Sequence, residues 1–66
     1  MLQISLKAAR VNAGLTQVQS AKLLGISVQT LINWERSPWL IPAYRQRDLS
    51  KVYRISIDSI NFLPTN

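Results

Sequence analysis

Apolar residues in this 66-residue chain recur at helical rather than strand spacing, in short bursts broken by turn-forming residues. The pattern predicts five short helices. The first covers residues 6–13, with Ser5 as its cap and Gly14 ending it. The second is Gln17–Leu24, opened by Thr16 and closed by Gly25, where the chain must take a left-handed conformation. Ser27 then caps the third, Val28–Arg36. Pro38 and Pro42 exclude a regular helix across residues 37–42, which read as a loop. Pro42 suits the first turn of the fourth helix, Ala43–Tyr53, and Ser56 caps a final one over residues 57–61. Residues 64–66 read as a frayed tail, and Gln3, Ile4 and Ser5 as either a strand or an extension of the first helix.

Helical spacing selects a core. Leu6, Ala9 and Leu15 face inward, then Ala21, Leu24 and Ile26, then Leu31 and Trp34. Leu49, Val52 and Tyr53 follow from the fourth helix, with Ile55, Ile60 and Leu63 closing the base. Ala21 matters for its size, because two steeply crossing helices need a small side chain where they touch.

At 47% hydrophobic residues the chain has the material for one compact domain over residues 1–66. Cysteine and histidine are both absent from the sequence, which removes disulfides, thiolate metal sites and the commonest general base. The only acidic residues, Glu35, Asp48 and Asp58, lie far apart, so no nucleophile–base pair suggests an enzyme. No cofactor, metal or small-molecule substrate is expected. A net charge of +5 favours a polyanionic partner. No apolar run approaches the ~20 residues of a membrane span. The first ten residues lack the basic-then-apolar order of a signal peptide, so a cytoplasmic protein is expected.

The two helices and tight turn over residues 16–36 form a unit that commonly places its second helix in the DNA major groove. Arg10, Gly14, Leu15, Thr16, Gln17, Ala21, Gly25, Ile26, Ser27, Leu31, Trp34 and Glu35 stand in an order and spacing that resembles the Cro/repressor-type (Xre) helix-turn-helix family. The run from Leu49 to Ser56 is similar to that family's fourth-to-fifth helix junction. The resemblance covers nearly the whole chain. It implies an all-α, compact five-helix lambda-repressor-like domain and a sequence-specific DNA-binding transcriptional regulator. The chain leaves no room for a separate effector domain, so it looks more like a small phage Cro than a two-domain repressor. Such a protein acts on the nucleoid of a bacterial cell or phage-infected host. Family members usually bind double-stranded DNA as homodimers, on near-palindromic sites whose half-sites lie about one helical turn apart. Three positions depart from the family pattern. Ser20 replaces a large aliphatic residue, which puts the packing of the second and fourth helices in question. Ser37 and Arg54 replace residues suited to left-handed backbone, at some cost if the chain is left-handed there.

Opposite Leu31 and Trp34, the third helix carries Ser27, Val28, Gln29, Ile32 and Asn33 as candidate base contacts. Gln29 and Asn33 are four apart on one face, and each amide can bond bidentately to adenine. Val28 and Ile32 either touch thymine methyl groups or extend the core; groove contact is favoured for Val28. Gln17, at the positive end of the second helix, is suited to hold a phosphate. Arg36, Arg45 and Arg47 flank the apolar loop and are candidate phosphate contacts. Glu35 is the only acidic residue near this face, and the resemblance implies a bridge from it to Arg10. Arg10 alternatively contacts phosphate directly, or does both.

Trp39, Leu40, Ile41, Ile57, Phe62 and Leu63 supply more apolar surface than so small a fold readily buries. A homodimer interface built on Trp39, Ile57 and Phe62 is one use for it; Trp39 packing on the fourth helix is another. Two further functions stay open: an antitoxin-type autorepressor, and a protein-interaction module of the same fold that does not bind DNA.

Overall fold

The computed structural model describes residues 2–64. Four α-helices appear in chain order: α1 (Leu6–Asn12), α2 (Gln17–Leu24), α3 (Val28–Arg36) and α4 (Ala43–Tyr53). The expected fifth helix is instead a single 3-10 turn, Ile57–Ser59, so the five-helix count is corrected to four. Its cap is present, with the Asp58 N–H donating to Ser56 Oγ at 3.3 Å. The run ends because Ile60 goes extended and pairs in parallel with Ile4. The Ile4 N–H donates to Ser59 O at 2.9 Å, and the Asn61 N–H to Ile4 O at 2.8 Å. That bridge also places residue 4 in extended backbone rather than in α1. Of the expected frayed tail, only Pro64 is described; Thr65 and Asn66 lie outside the described residues.

Three of the four α-helices start on a local side-chain cap, whereas α4 begins at Pro42 without one. Ser5 Oγ accepts from Ala8 N at 3.0 Å. Thr16 and Gln19 close a reciprocal box at the start of α2: Gln19 N donates to Thr16 Oγ1, and Thr16 N to Gln19 Oε1. Ser27 Oγ accepts from Thr30 N at 3.1 Å. α1 stops one residue earlier than predicted, with Ala13 as C-cap before Gly14 at φ +75°. Gly25, at φ +70°, makes the turn between α2 and α3. Arg54 is left-handed at φ +55°, whereas Ser37, at φ −133°, is not. The departure at Ser37 therefore carries no left-handed penalty.

The segment between α3 and α4 is not a plain loop. Pro38–Leu40 forms a 3-10 turn, compatible with Pro38 in its first position. Its geometry turns Ile41 inward, to 4% exposure, while Trp39 and Leu40 stay exposed. Ile41 thus belongs to the core and not to the surplus surface. The core is built from Leu6, Ala9, Ala21, Leu24, Leu31, Ile41, Leu49, Tyr53 and Ile60. Leu15, Ile26, Trp34, Val52 and Ile55 close it at a half-buried edge. Leu63, expected at the base, is 70% exposed; Phe62 packs there instead. Ser20 is fully buried between α2 and α4, and its hydroxyl is hydrogen-bonded to the Tyr53 hydroxyl. A small polar residue is accommodated here because the tyrosine opposite it brings a polar tip that fills and satisfies the space.

Candidate nucleic-acid interface

α3 is held by its inner face. Leu31 is fully buried and Trp34 half-buried against the core, which turns Ser27, Gln29 and Asn33 outward into solvent. Val28 and Ile32 lie between these faces, both half-buried. Val28 packs against the core cluster, whereas Ile32 lies outside it and is the more open of the two to a groove contact. The Gln29 and Asn33 side chains meet: Gln29 Nε2 donates to Asn33 Oδ1 at 3.1 Å. Their spacing, four apart on one face, makes that contact possible.

At the other end of α3, Glu35 gathers three elements. Arg10 Nε donates to Glu35 Oε2 at 2.7 Å, and Arg10 Nη2 to Oε1 at 3.4 Å. Arg10 Nη1 donates to the Leu15 carbonyl at 2.9 Å. Both charged side chains are nearly buried, at 9% and 7% exposure. Three of its donors are spent inside the protein, so Arg10 faces inward. Its role is the bridge between α1 and α3. Glu35 also accepts from Gln17 Nε2 at 3.2 Å, a contact sequence reasoning missed. That bond ties the first residue of α2 to the last turn of α3. The second Gln17 amide hydrogen and the free backbone N–H groups at the α2 start remain for an anion.

The remaining arginines divide. Arg45 is half-buried and turned toward α2, where Nη1 donates to the Leu24 carbonyl at 3.0 Å and reaches Asp48 Oδ2 at 3.4 Å. Its guanidinium lies 5.7 Å from the Tyr44 ring centre. Arg45 therefore caps the C-terminus of α2 and is not the free cation the sequence suggested. Arg36 and Arg47 are exposed and, among the described residues, make no hydrogen bond or ion pair within the chain.

Tyr53 sits behind this arrangement, joining α4 to Ser20 of α2. Burial pushes its phenol above the ordinary value of 10.0, with the Glu35 charge adding to the rise. The Ser20 hydrogen bond and the Arg10 charge oppose it. Trp39 is half-exposed. With Pro38, Arg36, Glu35, Gln3, Asn61 and Leu63 it lines a cleft of about 310 Å³ beside the end of α3. Ile57 and Phe62 are half-buried, Phe62 against the core. No group of acidic, cysteine or histidine side chains able to hold a metal ion occurs among the described residues. No helix there is long and apolar enough to cross a membrane.

Two helices crossing through a left-handed glycine, with the second presenting polar side chains outward and anchored by its inner face, define a helix-turn-helix protein. A helix-turn-helix family model matches residues 6–60, and no curated protein or solved structure gives a significant match. The chain belongs to the Cro/C1-type (Xre) helix-turn-helix family, a family of DNA-binding transcription regulators.

Proposed function

We propose that this protein is a sequence-specific transcriptional regulator of the Cro or repressor type, acting on a near-palindromic operator in the cytoplasm. The observation that carries the reading is the outer face of α3, where Ser27, Gln29 and Asn33 are exposed beside half-buried Val28 and Ile32. That face holds hydrogen-bonding groups for base edges and an apolar surface, mainly Ile32, for thymine methyls. Gln17, Arg36 and Arg47 supply the phosphate contacts that fix α3 in the groove without reading sequence. A single helix in the groove reads a short site. Pairing two copies through Trp39, Ile57 and Phe62 doubles it and imposes the two-fold symmetry of the operator.

Selection of bound sequences from a random DNA pool, at fixed near-physiological salt, tests the reading. The expected product is a near-palindromic motif containing A·T pairs, with half-site centres about ten base pairs apart. Salt-sensitive retention without an enriched motif would reduce the protein to a non-specific DNA binder. Absence of any DNA retention would refute the reading. It would turn attention to exposed Trp39 and Leu40 as the surface of a protein-interaction module.

A further inference from the structure

The sequence offers Gln29 and Asn33 as two independent adenine readers, because each amide carries a donor and an acceptor side by side. Their mutual hydrogen bond changes what they offer. Gln29 Nε2 has committed one hydrogen to Asn33 Oδ1, at 3.1 Å. Gln29 keeps a free Oε1 acceptor and one N–H, the pattern that matches the adenine edge. One lone pair of the Asn33 oxygen is taken by Gln29, so the groups Asn33 offers most freely are the two hydrogens of Nδ2. That donor-rich surface best suits an edge with acceptors alone: guanine, with O6 and N7, or thymine, with O4. Both side chains are exposed on the outer face of α3, where neither has another partner within the described chain to compete for these groups.

We infer that Gln29 and Asn33 read two neighbouring bases as one interlocked unit, Gln29 selecting adenine and Asn33 selecting an acceptor-only edge. The inference rests on the DNA-binding reading above. It differs from independent readout in a measurable way. With the interlock, Asn33 fixes which way the Gln29 amide faces. Without it, both Nε2 hydrogens of Gln29 are free, and together they match the two acceptors of guanine as well as one of them matches adenine.

The test is sequence selection with the wild type, Asn33→Ala and Asn33→Asp, each checked for unchanged helicity. Wild type should select adenine at one position and guanine or thymine at its neighbour. Asn33→Ala should lose the neighbour preference and also weaken the adenine preference by about fivefold, the worth of one net hydrogen bond. Asn33→Asp keeps an acceptor for Gln29 but no donors, so it should retain the adenine preference while losing the other. If Asn33→Ala relaxes only one position, or wild type selects adenine at both, the interlock is overturned and the DNA-binding reading stands. If wild type retains no DNA, both fall together.

Discussion

Replacing Glu35 by alanine tests how α3 is held. The substitution removes the carboxylate that accepts from Arg10 at 2.7 Å and from Gln17 at 3.2 Å. It leaves the Arg10 guanidinium nearly buried, with the Leu15 carbonyl as its remaining partner. Removing one member of a buried ion pair costs about 3–5 kcal/mol, because the other charge stays desolvated and uncompensated. The lower end applies here, since the Leu15 bond survives and the edge of the pair touches solvent. For a domain of this size each kcal/mol moves the midpoint by about 4–8 °C, so a loss of about 3 kcal/mol lowers Tm by roughly 12–24 °C. Thermal unfolding followed by far-ultraviolet circular dichroism reads this directly. A double replacement, Arg10→Met with Glu35→Met, removes both charges and should recover most of the loss, because the dominant penalty is the orphaned guanidinium. A Glu35→Ala variant melting within about 3 °C of wild type would refute the reasoning. The pair would then contribute no more than an exposed surface pair does.

Four further variants probe other parts of the molecule. Tyr53 has a raised folded-state pKa, so its contribution is fully present below 10.0 and is lost as pH rises through the folded value. Urea titrations from neutral to strongly alkaline pH should therefore show a steeper loss of stability in wild type than in Tyr53→Phe, and parallel curves would contradict the assignment. Arg54→Gly relieves a left-handed non-glycine residue, and after the extra chain entropy of glycine it should stabilise by about 0.5–1 kcal/mol; an unchanged or lowered Tm would count against strain there. Arg47→Glu should weaken DNA binding and reduce the salt slope by about one with Tm unchanged. Arg45→Glu should instead lower Tm, since its guanidinium holds the Leu24 carbonyl; the reverse assignment of the two arginines would be shown by the opposite pattern.

The parts of the fold that were legible in the sequence are those fixed by local chemistry. A serine or threonine ahead of an apolar-periodic run has one good use, and Ser5, Thr16 and Ser27 each cap the helix expected of them. Gly25 stands where only a residue without Cβ sits comfortably, and the turn falls there. The departures come from places where distant segments decide. Ile41 looked like one of three loop hydrophobes; the 3-10 turn begun by Pro38 sends it inward and its neighbours outward. The last predicted helix was cut short because Ile60 had a better partner in Ile4, fifty-six residues away.

The same division runs through the candidate site. Spacing marked Gln29 and Asn33, place in the helix marked Gln17, and the family resemblance marked Arg10 and Glu35, but none of these showed how their groups share one another. An arginine in a sequence is equally compatible with a phosphate, a carboxylate or a helix C-terminus. Only the tertiary fold separates Arg47, which is open to solvent, from Arg45, which is spent on Leu24. Ser20 makes the point most sharply. Alone it reads as a defect in an apolar interface, and a buried hydroxyl without a partner would cost about 1–3 kcal/mol. Opposite Tyr53 it is the complement of another hydroxyl, and each makes the other tolerable. Such pairs become legible when a small polar residue in one helix is weighed against every tyrosine on the helices that cross it, because a buried hydroxyl needs a partner.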